Sequence, residues 1–525
     1  MTRFIKFGAR RNLRDVTRQR FSPPSPSSLQ IAVNRRKFTA FLLAPALSLT
    51  AVACPRSPEP SLVEALTAGV WHAFVPNDEA VYRVTYQKGG DFVVDIQFKD
   101  GVFGGQVHWV DDGKQKTELE ITGVSFDDPS IEIRLDPFPP YRGETSLESG
   151  TIDGGLVGPA LYENMDLTLV DPAQWPMIRL RTPPPVGEPA APLWTRPEDR
   201  GDGWETATPS DVGIETAAVD ATMQAILAGE AGALHSFLLA RDGSLVVEEY
   251  FHGWGADDLQ QFASCTKSVS SLLVGIAIDQ GLITGVDAPL LDFFPDSTEQ
   301  AGRGWDALRL EHLLTMTMGL DWTDAEKDRL PSLDVDRIAE IIGRNCAAEP
   351  GTRWSYASRN MSLLPGVFIN ATGVEADVFA AEHLFAPLGI TAWNWDDKRQ
   401  DGHPDMVGSL ELRPRDMAKL GQLVLDDGEW HGRRVVSEKW IQESTRTHVE
   451  ETWDKDFEYG YLWWRLDSPL GVVKMAIGTG SQFIVTLPEA GIVIVTTAGN
   501  QFNGQHAAIL KVLERNLVPG VHPIR

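Results

Sequence analysis

The chain has 525 residues with 42% hydrophobic and 23% charged residues and a formal net charge of −26. It exceeds one ordinary domain of about 100–200 residues, and its composition excludes wholesale disorder. The first 53 residues hold ten Lys/Arg against Asp15 alone, leaving the remainder near −35. Such a surface repels phosphate backbones, so no nucleic-acid partner is expected.

The basic start ends in "NRRKFTAFLLAPALSLTAVACP", where Arg35-Arg36-Lys37-Phe38 precede an apolar run closing in Ala51-Val52-Ala53. That layout is an export signal, and its arginine pair resembles a twin-arginine signal, used by proteins exported already folded. The run of about 16 residues falls short of the roughly 20 that cross a hydrocarbon core. Cys54 follows the small residues directly, as in a lipoprotein box, although Ala51 stands where such boxes carry Leu. Lipidation of Cys54 is therefore expected, with plain cleavage after Ala53 as the alternative. The signal and its leader occupy 1–53 and a tether 54–60, and initiation at a GTG codon read as Val33 would explain the leader's length. The expected location is periplasmic, either soluble or anchored to a membrane by a lipid. Cys265 and Cys346 are too few for a disulfide framework and are expected to be free thiols.

Residues 61–181 alternate with period two in "VVDIQF", "ELEIT", "IEIRLD" and "MDLTLV", punctuated by Gly and Asp clusters. This predicts an N-terminal antiparallel β-barrel or sandwich. Trp71 and Trp109 sit in strand-like runs and are expected to pack its core. Residues 182–205 are Pro-rich and aperiodic, as in an interdomain linker.

From 206 the pattern changes. "ETAAVDATMQAIL" has helical period, and "LHSFLLARDGSLVVEEYF" reads as two strands about an Asp-Gly turn. "SVSSLLVGIAIDQG" and "LRLEHLLTMTMG" predict helices closed by Gly281 and Gly319. "VVKMAIGTGSQFIVTLPEAGIVIVTTAGN" returns to strands, and "GQHAAILKVLERNL" closes the chain as a helix. Strands at both ends with helices between predict an α+β domain over 206–525 whose sheet joins distant segments.

Within it, "FASCTKSVSS" sets Ser264 and Lys267 three apart, on the helical face shared by Ser268, Ser271 and Gly275. The opposite stripe, Val269, Leu272, Leu273 and Ile276, is apolar and buries the helix, and the flanking "FAS" and "VSSLLVGIAI" look buried on several sides. Burial and the positive end of the helix dipole both disfavour an ammonium, so Lys267 is expected to have a lowered pKa and to take the serine proton. Backbone N–H groups at the helix start supply half of an oxyanion hole. The opposing reading makes Ser264 a helix cap and Lys267 a solvated first-turn residue.

Ser264-Cys265-Thr266-Lys267 resembles the first motif of the serine β-lactamase and DD-peptidase superfamily, nearest to its class C-like branch of esterases and 6-aminohexanoate-dimer hydrolases. The resemblance spans 206 to about 518. It implies that Ser264 is acylated and Lys267 is its base partner. A second motif matches Tyr356-Ala357-Ser358, whose phenol would relay the proton to the leaving group; Ser358 would bind substrate. The stretches "LEHLLTMTMGLDW", "RPRDMAKLGQLVLDDGEWHG" and "YGYLWW" follow in family order and are expected to build core. The third motif departs from the family's Lys-Thr-Gly. The strand carries Gly478-Thr479-Gly480-Ser481-Gln482, aligned either as Gly478-Thr479-Gly480 or as Thr479-Gly480-Ser481. The second register is preferred, which makes Thr479 and Gly480 substrate-binding and the Gln482 N–H the second oxyanion donor beside Ser264, with Ser481 as fallback.

A missing cation removes a charge-assisted bond to an anionic substrate. The expected activity is therefore hydrolysis of small esters or amides through an acyl-enzyme, with β-lactamase or DD-peptidase activity on peptidoglycan as the alternative. An idle binding module is the reading from another class. No metal or other cofactor is expected, since the histidines form no ligand-spaced cluster such as H-E-x-x-H.

Overall fold

The computed structural model describes eight strands between residues 79 and 170, then residues 193–323, 337–395, 403–452, 455–500 and 507–522. The export signal, Cys54, the tether, Trp71 and the Pro-rich residues 182–192 lie outside the described residues.

The eight early strands, Glu79–Thr85, Asp91–Lys99, Val102–Asp111, Lys114–Asp127, Ser130–Leu135, Tyr141–Ser146, Thr151–Leu156 and Leu167–Val170, pair in sequence order as an antiparallel barrel. The first closes on the last through Val81 opposite Val170. Closure leaves no open sheet edge, which is how an all-β unit avoids pairing with another chain.

The second sheet gathers both ends of the remaining chain. Its core strands are β1 (Leu234–Arg241), β2 (Ser244–Tyr250), β3 (Trp464–Ser468), β4 (Gly471–Gly478), β5 (Gln482–Leu487) and β6 (Ile492–Ala498). The spatial order is β3-β4-β5-β6-β1-β2, antiparallel throughout, with Glu458–Tyr459 added beyond β3 and Glu205–Thr206 pairing in parallel with β2. The β1–β2 turn is Asp242-Gly243, both with positive φ (49° and 77°), the geometry whose twist matches a two-residue hairpin. Every residue of β1, β5 and β6 is buried, so these strands are covered on both faces, their polar residues included.

Helix α1 (Thr216–Leu227) packs against the C-terminal helical turns, α2 (Cys265–Asp279) against β4 and β5, and α3 (Pro414–Leu425) against β5 and β6. At Gly421 a Cβ would lie 2.6 Å from Val493 and 2.8 Å from Ile484, so the missing side chain sets how closely α3 approaches the sheet. This is the expected α+β arrangement, with one parallel edge added.

One expectation needs correction. The helix predicted up to Gly319 spans only Leu310–Leu314. Thr315 turns its hydroxyl back to the Glu311 carbonyl, the Leu462 N–H takes the Leu314 carbonyl, and Met316 adopts φ +60°. Side-chain and sheet-side partners thus replace the helical ladder. Helix α2 is buried on several sides, as its flanking residues suggest, with thirteen of its fifteen residues buried. Its polar face is covered as well: Ser268 donates to the Leu462 carbonyl at 2.6 Å, and Gly275 lies under the Trp440 ring.

Candidate active site

Ser264 is half-buried at the head of α2, with φ −65° and ψ −8°. Ala263 before it has φ +46°, a conformation L-residues rarely adopt and one that persists only when its surroundings enforce it. Gly478 at the end of β4 supplies part of that enforcement, because a Cβ there would stand 2.6 Å from the Phe262 carbonyl and 3.1 Å from the Ala263 Cβ. Gly408 approaches Ala263 on another side, and the Phe262 N–H donates to the Leu410 carbonyl at 2.9 Å. Strand end and loop therefore fix the turn that carries the serine.

Lys267 is 1% exposed. Its Nζ donates to Ser264 Oγ at 2.7 Å and to the Val407 carbonyl at 3.0 Å. The same Nζ lies 5.3 Å from the centroid of the Tyr356 ring, so these three side chains converge. Tyr356 is half-buried against aromatic neighbours: Trp464 stacks at 5.7 Å, and Trp354 and Tyr459 each have ring centroids 6.3 Å away. Burial pushes the Tyr459 phenol well above its ordinary 10, and electrostatic coupling to the neighbouring Tyr356 phenol acts in the same direction. Tyr459 is therefore a neutral wall beside Tyr356.

The third motif forms the hairpin between β4 and β5. Gln482 opens β5, with its side chain turned inward to donate to the Ala498 carbonyl at 2.6 Å. Cys265 Sγ donates to the Gln482 carbonyl at 3.4 Å, which brings the start of β5 beside the residue after Ser264. The Ser264 N–H makes no hydrogen bond to a described residue. Ser481 is fully buried with φ +68°, its hydroxyl accepting from Asn500 at 3.0 Å. Gly480 is buried with φ +87°, and Thr479 is exposed at the hairpin tip. Ser358 is half-buried, and its side chain hydrogen-bonds to no described residue.

Sequence reasoning missed the Val407 carbonyl and the aromatic wall. The carbonyl carries no side-chain signal, and Trp464 was read only as core. Cys265 is fully buried, and burial pushes its thiol up strongly although Lys267 opposes this. It is held there as a protonated, unreactive group. Cys265 and Cys346 are both free. Among the described residues no three His, Cys, Asp or Glu are grouped to hold a metal ion.

The model of the Beta-lactamase family matches residues 219–515, more than half of the chain. The protein belongs to the Beta-lactamase family. Among curated proteins it is 26% identical over 283 residues to 6-aminohexanoate-dimer hydrolase of Paenarthrobacter ureafaciens, covering 50% of this chain and 71% of that one. It is 25% identical over 191 residues to monacolin J acid methylbutanoyltransferase of Aspergillus terreus, covering 32% of this chain and 44% of that one. Among solved structures, EstCE1, a hydrolase with promiscuous acyltransferase activity, aligns with a TM-score of 0.48 and 15% identity, over 58% of this chain and all of that one.

Proposed function

We propose that this Beta-lactamase-family protein is a serine hydrolase that cleaves small esters or amides through an acyl-enzyme on Ser264. The observation that carries the reading is the 2.7 Å contact between a buried lysine amine and a half-buried serine hydroxyl at a helix start. Removal from water disfavours the charged amine. Once neutral, Lys267 turns its lone pair toward Oγ and takes the proton as the oxygen bonds to the substrate carbonyl carbon. The resulting oxyanion lies against the Ser264 N–H and the N–H of Gln482, or of Ser481 in the other register. Collapse breaks the C–O or C–N bond, and the departing group receives the proton by way of Lys267 and Tyr356. Water repeats the sequence and frees Ser264.

The two curated relatives, one named a hydrolase and the other a methylbutanoyltransferase, support acyl chemistry. Small esters and amides are favoured over β-lactams because Gly478-Thr479-Gly480-Ser481 holds no lysine at the hairpin position where the third motif of a β-lactamase meets the antibiotic's carboxylate. Ser358, Thr479 and Gly480 are assigned to substrate contact, with Thr479 reaching from the exposed hairpin tip.

The test is a panel of short-chain nitrophenyl esters, linear amides and a chromogenic cephalosporin, assayed with wild type beside Ser264→Ala. Ester or amide turnover that falls at least about 10³-fold in Ser264→Ala is the expected result. Cephalosporin turnover at rates matching the esters would favour a β-lactamase. Failure of Ser264 to react with a fluorophosphonate would leave only a binding module.

We further propose export through the Arg35-Arg36 signal, with a lipid on Cys54. Arg35→Lys with Arg36→Lys is expected to leave the precursor in the cytoplasmic fraction. Unchanged delivery would remove that assignment.

A further inference from the structure

A cavity of about 400 Å³ opens beside Tyr356, walled by Met316, Leu320, Trp322 and Trp354. Its volume suits a small organic group. Trp322 is a fixed wall: the guanidinium groups of Arg344 and Arg359 lie 4.1 and 4.5 Å from its ring, and its Nε1–H donates to Asn360 Oδ1 at 2.6 Å. Arg359 also pairs with Glu340, and Arg344 approaches the same carboxylate at 4.0 Å. Those two cations are engaged.

The third arginine of this region, Arg353, also lines the cavity and is exposed to solvent. Its guanidinium donates a long hydrogen bond to the Leu320 carbonyl at 3.4 Å, and among the described residues it has no carboxylate partner. Glu451, also exposed to solvent, lines the same cavity without an ion pair to a described residue. The two opposite charges therefore share one cavity without pairing with each other.

We propose that Arg353 recognises a carboxylate on the substrate arm that reaches past Tyr356 into this cavity. Selectivity then favours esters or amides bearing a free acid over their neutral analogues. The inference rests on the acyl-enzyme reading and assigns its substrate class. A guanidinium suits a carboxylate because its planar donors bind both oxygens together. In a chain of net charge −26 it also provides a local positive field where an anion would otherwise be repelled. Glu451 disfavours a second carboxylate in the same cavity.

Two matched ester pairs test this in the full-length protein. Mono-nitrophenyl glutarate against nitrophenyl butyrate places the acid on the acyl side, and 3-acetoxybenzoate against its methyl ester places it on the alcohol side. In wild type, kcat/KM for the acid is expected to exceed that of its neutral partner by about tenfold in at least one pair. Arg353→Gln should cut that ratio about tenfold, mainly through KM, and Arg353→Lys should recover part of it. A ratio near one in both wild-type pairs, or a ratio unmoved by Arg353→Gln, overturns the assignment. Turnover of the neutral esters that survives Ser264→Ala instead overturns the acyl-enzyme reading beneath it.

Discussion

Ser264 and Lys267 meet because residues three apart on a helix share a face, and their 2.7 Å contact needs no distant help. The surroundings of Lys267 do need it. The Val407 carbonyl that holds its amine comes from 140 residues away. Lys267→Ala is expected to lower kcat by about 10²–10⁴ with a smaller change in KM, as loss of a general base does. Retained kcat in steady-state assays would make the lysine structural. Tyr356 was legible from its two-residue spacing to Ser358, yet Ser358 itself hydrogen-bonds to no described residue, while the nearby Asn360 fixes the Trp322 wall. Short motifs do pick out side chains that the fold brings together. They do not reveal which neighbours hold them, since a tryptophan that packs core and one that lines a site look the same in sequence.

At the scale of elements, the turn 262–264 depends on glycine at the end of β4. Gly478→Ala would drive a Cβ into the Phe262 carbonyl and Ala263, displacing the serine before it unfolds the sheet. Overpacking of this kind costs about 1–3 kcal/mol, and the expected signature is a loss of kcat larger than the modest fall in Tm implies. Equal activity at reduced Tm would count against this role. After β2, His252 sits in a tight turn with φ +53°, and burial pushes its imidazole down to about 4 from an ordinary 6.5. Its folded pKa is depressed, so the fold excludes a proton that the unfolded chain binds. The stability it contributes is therefore complete above pH 6.5 and is lost as pH falls toward 4, by about 3 kcal/mol at most. Urea unfolding at pH 7, 5.5 and 4.5 should show a shallower pH dependence in His252→Asn than in wild type. Identical slopes would contradict the assignment. Neither feature was legible in the sequence, because each depends on how closely one element approaches another.

At the scale of the molecule, strand character at both ends of the second domain was enough to predict a sheet joining distant segments, and β1 does pair with β6. The linker reading was too simple. Residues 193–204 carry no periodicity, yet Trp204 is 3% exposed and Trp194 Nε1 donates to Asp220 at 2.8 Å. Buried Arg415 gathers the segment further, reaching Asp202, Glu248 and the Glu198 carbonyl. Single contacts to partners far along the chain leave no local pattern to read. Arg415→Ala strands a buried carboxylate and is expected to cost about 3–5 kcal/mol in urea unfolding. A loss below about 1 kcal/mol would show that the segment is only loosely attached.

The central claim is that Ser264 becomes acylated. Intact-mass and peptide mass spectrometry of enzyme quenched during turnover of a slow ester tests it most directly. The account predicts one added acyl group on the peptide containing Ser264, absent from Ser264→Ala and slowed in Lys267→Ala. An adduct on another residue, or full turnover by Ser264→Ala, would contradict it.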